Sequence, residues 1–269
     1  MRRKFISFVW FLFFILLWVP SVHSDVTIHN AAATGSAAAT TVTISSYAVT
    51  AGAQFMVVGA CDRGNIAVSS VTWNTSENLI FLAGQNGGTG IRTEMWVLTN
   101  PTAVTANLVV TWASGAARRT VGVRTFKGVN TSSPYGTAVT GTPTGICSVS
   151  EVISVAVTDA TTGGLVVDAL CLGDGDSPSD ATIGAGQTEA YTVLIGTTDF
   201  VRGKGSSEPG AVGTVTMSWT GSVDAAYCSM AAVALQPARS RGGPMFLSWV
   251  RGLYEILISI DLSALAGVY

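Results

Sequence analysis

The chain has 269 residues, 48% of them hydrophobic and only 11% charged, with 14 basic residues against 16 acidic ones and two histidines. Three basic residues and no acidic ones fall within the first 24 positions, so the remaining 245 residues carry a net charge of −5 and only two lysines, Lys127 and Lys204. A chain this acidic, with no basic run before Arg239, lacks the electrostatic footprint of a nucleic-acid binder.

Arg2, Arg3 and Lys4 precede an uncharged run from Phe5 to Val19, which Pro20 breaks ahead of Val22-His23-Ser24. That order reads as a secretory signal peptide over 1–24, cut before Asp25. The apolar run is shorter than the roughly 20 residues a spanning helix needs. A secreted or extracellular-surface protein is therefore expected.

Beyond the cut the dominant period is two. Phe55 to Cys61 is a nearly continuous apolar run, as expected of a central strand. Gly84 to Gly90 reads as a turn. Ile91 to Leu98 alternates, placing Ile91, Met95 and Val97 on one face and Arg92, Glu94 and Trp96 on the other. Asn107 to Trp112 turns Leu108, Val110 and Trp112 inward. A turn-rich but short junction from Gly128 to Gly145 follows, then a second continuous run, Leu165 to Cys171. Gly163-Gly164, Gly184 to Gly186 and Gly203 to Gly210 again read as turns, and Thr214 to Trp219 alternates strictly. Between Asp25 and Pro237 no helical period stands out.

Landmarks recur at a nearly fixed offset. Val57-Val58-Gly59-Ala60 matches Val166-Val167-Asp168-Ala169, Cys61 matches Cys171, the strand ending in Trp112 matches the one ending in Trp219, and Phe126 matches Leu235. The chain is therefore expected to be a doubled unit, with halves at about 40–127 and 147–236. A doubled unit can form two tandem sandwiches or one large one. The short junction favours one all-β, two-sheet antiparallel sandwich over 25–237, jelly-roll-like, its halves related by an approximate twofold.

Several segments carry a resemblance: Phe55 to Ala60, Val71-Thr72-Trp73, Trp96 to Pro101, Phe126 to Val129, Gly163 to Leu170, Gly184 to Thr188, Ser206 to Gly210 and Thr214 to Trp219. Together they resemble a family of uncharacterised secreted bacterial β-sandwich modules. The resemblance implies fold and export, and it transfers no activity and no catalytic residue.

The four cysteines, Cys61, Cys147, Cys171 and Cys228, are widely spaced and lack a CxxC motif. In an exported chain this favours disulfides over metal ligation, with three connectivities open, and a structural pairing or buried free thiols is the expected outcome. A single histidine beyond the cut, His29, excludes a Ser-His-Asp triad, a Cys-His dyad and a His-rich metal centre. Glu77, Glu94, Glu189, Glu208, Asp199 and Asp224 are the carboxylates a glycan-active enzyme would have to draw on, and no two share one strand face. Asp174, Asp176 and Asp180 lie in one Asp-Gly-Asp loop with oxygen ligands suited to Ca²⁺. Arg92, Glu94 and Trp96 combine a stacking ring with hydrogen-bonding charges on one face, which suits a sugar; Trp73 is a second candidate ring.

These features point to a non-catalytic extracellular binding or adhesion module with a glycan or cell-surface ligand. A structural subunit of a surface layer or fibre and a carboxylate-based glycan-active enzyme are the alternatives. After a basic linker from Arg239 to Pro244, small and polar residues at Ser248, Gly252, Glu255, Ser259 and Ser263 mark one stripe of an amphipathic helix. Arg251, Glu255 and Asp261 disfavour insertion. That tail is expected to mediate self-association or membrane-surface contact.

Overall fold

The computed structural model describes residues 23–88, 90–142, 147, 149–173, 180–197, 199–222 and 227–239. The hydrophobic leader and the tail beyond Arg239, with its expected helix, lie outside the described residues. Among the described residues every regular element is a strand, and Asp25–Ala238 form one compact unit.

A two-residue strand β1 (His23–Ser24) comes first. The first half then supplies β2 (Thr27–Ala39), β3 (Thr41–Ala48), β4 (Phe55–Arg63), β5 (Val68–Trp73), β6 (Glu77–Asn78), β7 (Ile80–Gly87), β8 (Ile91–Thr99), β9 (Thr105–Trp112) and β10 (Ala117–Lys127). The second half supplies β11 (Val139–Gly141), β12 (Val152–Ala160), β13 (Leu165–Gly173), β14 (Ala181–Ile183), β15 (Thr188–Ile195), β16 (Val201–Pro209), β17 (Gly213–Gly221) and β18 (Tyr227–Leu235). Ala238–Arg239 form β19, which pairs with β1.

The strand order repeats between two sheets. A five-stranded sheet runs β2-β10-β4-β8-β7 and its sister runs β11-β18-β13-β16-β15, which is the same order with each strand replaced by its counterpart. The companion sheets, β3-β9-β5-β6 and β12-β17-β14, correspond in the same way over three strands, β6 having no counterpart among the described residues. Irregularities repeat too. The register slips between Phe81 and Ala83 on β7 and between Glu189 and Tyr191 on β15. It slips again between Ile44 and Tyr47 on β3 and between Val157 and Ala160 on β12. Bulges are specific backbone features, so their recurrence at equivalent points is stronger evidence of a doubled unit than composition is.

Apart from the short β1-β19 pair the described residues form four sheets, not the two expected from sequence. Each five-stranded sheet packs on its own companion sheet, as in a sandwich, and the two five-stranded sheets stack on each other. One core, with Val42, Ile44, Trp73, Leu108, Val110 and Trp112 facing Met56, Val58 and Trp96, fills the first sandwich. Another, with Val157, Met217 and Trp219 facing Val166, Leu170 and Met230, fills the second. A third joins the sandwiches: Phe55, Val57, Met95, Val97 and Phe126 from one sheet meet Val167, Ala169, Ala231, Val233 and Leu235 from the other. The reason is legible in β4 and β13. Both are apolar on both faces, so each five-stranded sheet needs cover on two sides, and its own companion sheet covers one of them.

Two glycine-rich stretches expected to be turns are strand. Gly84 to Gly87 belongs to β7, and Gly203 to Pro209 makes up most of β16. On β16 the missing side chains make room. A Cβ at Gly203 would collide with Thr120, and one at Gly205 with the ring of Tyr191, whose other close neighbours are Gly59 and Gly122.

Candidate functional site

The strand face singled out in the sequence is an inner face. Arg92, Glu94 and Trp96 do share one side of β8, and that side looks toward the companion sheet of the first sandwich. Glu94 is buried. It accepts from Arg92 Nε at 2.5 Å, from Trp96 Nε1 at 2.9 Å and from the backbone N–H of Val68 at 3.2 Å. Arg92 also donates from Nη1 to Asn86 Oδ1 at 2.5 Å. The three residues meet as one hydrogen-bonded cluster.

Trp96, only 8% exposed, has no face to offer a sugar, and Trp73 is wholly buried. The Trp73 indole donates to Thr102 O at 3.2 Å and the ring packs edge-on to Tyr47. Both expected stacking rings are core residues: β3, β9, β5 and β6 cover the face of β8 that bears Trp96, and Trp73 faces the same core from β5. The ring that does reach solvent is Phe81 on β7, the strand at the open edge of the sheet. It is 47% exposed, pairs across to Trp96, and stands edge-on to it at 5.5 Å. Phe81, Gly84 and Asn86 alternate opposite Trp96, Glu94 and Arg92. Gly84 keeps the floor low: a Cβ there would press on the Arg92 guanidinium, Glu94 Cγ and the Phe81 ring together. Arg92 keeps 19% of its side chain exposed beside that ring. The sequence reading missed Phe81 and Asn86 because it took Gly84 to Gly90 for a turn. The apolar run Ile80 to Ala83, leading straight into that glycine, was the signal.

The equivalent point in the second sandwich carries the opposite charge. Lys204 on β16, the counterpart of Glu94, is buried and donates to Asp180 Oδ1 at 2.8 Å and to Ala181 O at 2.8 Å. It lies 3.2 Å from Glu189 Oε2 and 5.2 Å from the centre of the Trp219 ring. Arg202 Nη1 holds the other Asp180 oxygen at 2.6 Å. Partial burial pushes the Asp180 carboxyl up, but the hydrogen bond and charge of Lys204, with Arg202 behind it, hold it below its ordinary value. Of the three residues expected to bind Ca²⁺, Asp180 is thus already neutralised by two cations; Asp174 and Asp176 lie outside the described residues. No group of three or more His, Cys, Asp or Glu with metal-holding geometry occurs among the described residues.

Deeper in the same sandwich, Asp168 accepts from Ser206 N at 2.6 Å and Trp219 Nε1 at 2.8 Å. Gln187 donates to Ser206 Oγ at 2.6 Å beside them. Burial raises the Asp168 carboxyl to about 6 despite these donors. Asp168 borders a small space of about 20 Å³ shared with Arg124, Tyr191 and Ser206 at the contact between sandwiches, room for about one water. His29 lies at the surface, its Nε2 2.9 Å from Thr50 Oγ1. Cys147 and Cys228 form a disulfide, while Cys61 and Cys171 are buried thiols. The disulfide is consistent with an extracellular protein, and no helix among the described residues is long and apolar enough to cross a membrane.

Comparison of the chain with family models, with curated proteins and with solved structures found no match to any of them. What fold and site define together is a class: an all-β protein of stacked antiparallel sheets with a polar cluster under the open edge of one of them.

Proposed function

We propose that this chain is an extracellular, non-catalytic binding or adhesion module for a glycan, a secreted sandwich module of the kind its strand segments resemble. The observation that carries the reading is the Phe81 ring, half exposed on an edge strand, beside an Arg92 guanidinium fixed by Glu94 and Asn86. A sugar ring stacked on Phe81 would bring its hydroxyls to Arg92 and Asn86, an apolar surface bordered by oriented polar groups. Glu94 orients Arg92 from below.

A glycan-array screen of the chain tests this. Phe81→Ala should weaken binding about tenfold, the loss of one aromatic stacking contact. Trp96→Phe should change it little, because Trp96 is covered. An array without hits, or hits indifferent to Phe81→Ala, sinks the proposal.

One observation favours the second reading, a structural subunit of a layer or fibre. Ile80 on β7 and Leu194 on β15 are exposed apolar residues on the open edges of the two five-stranded sheets, where another copy could add a strand. Ordered assemblies by electron microscopy, lost on Ile80→Lys, would favour that reading.

A further inference from the structure

Cys61 and Cys171 occupy equivalent positions on β4 and β13, the central strands of the two stacked sheets. Two residues earlier, the equivalent pair Gly59 and Ala169 already face one another: a Cβ on Gly59 would stand 2.8 Å from that of Ala169. A pleat of two residues returns each side chain to the same face, which carries Cys61 opposite Cys171. The side chains agree. Cys61 Sγ lies 3.5 Å from the carbonyl oxygen of Leu170, the residue before Cys171, which brings it to the backbone that carries the second thiol. Cys61 is paired between Thr93 and Thr120, and Cys171 between Gly203 and Ser229. Thr93 and Ser229 are joined across the sheets, with hydroxyls 2.7 Å apart, which pins the two cysteine rows against each other.

We propose that Cys61 and Cys171 form a second disulfide, one that ties the two sandwiches together at their shared approximate twofold. The oxidant is an external disulfide, either a small-molecule disulfide or that of a thiol oxidoreductase. One cysteine thiolate displaces one sulfur of it to give a mixed disulfide, and the other cysteine then displaces the second sulfur. The protein loses two protons and two electrons, and the oxidant leaves as two thiols. Burial, and next the neighbouring Cys61, push the Cys171 thiol well above its usual range. Reaction therefore belongs to the folding chain in an oxidising compartment, before the sheets close over both sulfurs.

The test is a disulfide map of chain recovered by export, alkylated under denaturing conditions without reduction and then digested. The expected product is a Cys61 peptide bonded to a Cys171 peptide beside the Cys147–Cys228 pair, with no alkylated cysteine. Cys171→Ala should then show one alkylated thiol, Cys61, against none in the wild type. Alkylation of both Cys61 and Cys171 with Cys147–Cys228 intact, or either of them bonded to Cys147 or Cys228, overturns the assignment.

Discussion

At one point of the doubled frame the two halves solve the same problem with different chemistry. In the first sandwich Arg119 pairs with Asp62 across β10 and β4; in the second the equivalent pair is Cys228 and Leu172 across β18 and β13. Arg119 is wholly buried. It donates to Asp62 Oδ2 at 2.6 Å, to Ser114 O at 3.0 Å and to Ala39 O, and lies 4.7 Å over the Trp112 ring. Its counterpart Cys228 is instead bonded to Cys147. One half uses a network of hydrogen-bonded charge, the other a covalent link. Core positions differ between the halves in sets: Asp62 and Arg119 stand where the second half has Leu172 and Cys228, Glu94 and Trp96 where it has Lys204 and Ser206, and Val58 where it has Asp168. A buried charge left without its partner is costly, so the partners had to change together.

The largest expected effect breaks one side of that comparison. Arg119→Met leaves the Asp62 carboxylate buried and unpaired, and should cost about 3–5 kcal/mol in denaturant unfolding. Adding Asp62→Leu, which imitates the second half, should recover most of the loss. Next, Cys147→Ser with Cys228→Ser should cost about 2–4 kcal/mol. Both lesions should lower a single transition, because the apolar surface between the sandwiches joins their cores. Biphasic unfolding would show the halves to be separate cooperative units.

Acidity sharpens the comparison at Val58 and Asp168. Asp168 has an ordinary carboxyl value of 3.8 when the chain is unfolded and about 6 when folded. The folded protein therefore holds an extra proton between these values. Its stabilising effect is complete below the lower value and is lost as the pH rises through the upper one, an interval worth about 3 kcal/mol. Unfolding measured from pH 4 to pH 8 should show this decline, and Asp168→Asn should flatten it. The smallest effect is at the twofold. Thr93 and Ser229 answer each other, but Thr120 faces Gly203, and its buried hydroxyl has no hydrogen-bond partner among the described residues. Thr93→Val should destabilise by about 1 kcal/mol, whereas Thr120→Val should be neutral or slightly stabilising.

Strand identity, the two central strands and the recurrence of landmarks at a fixed offset were readable because period two and a fixed offset are properties of the sequence itself. The number of layers was not, although its cause was present: Phe55 to Cys61 and Leu165 to Cys171 lack a polar face, and a sheet apolar on both sides needs two covers. The strand bearing Arg92, Glu94 and Trp96 was identified correctly, but which side of it meets water depends on a sheet built from residues far away in sequence. Gly203 and Gly205 resemble turn residues for the same reason. Their purpose is set by Thr120 and Tyr191, which reach them only across a sheet-to-sheet contact or from a neighbouring strand.

The stacking of equivalent strands β4 and β13 also has an evolutionary reading. A single ancestral half would expose one apolar five-stranded face, and a second copy would cover it as a symmetric homodimer. In such a dimer every substitution at the contact appears twice. Joining the copies through the segment that follows Gly128 removes that restriction. It lets one copy carry Tyr191 against Gly59, Gly122 and Gly205 while the other carries Ala83 at the equivalent place, packed on the core between the sandwiches. The asymmetry is something a fused gene can accumulate and a dimer of identical chains cannot.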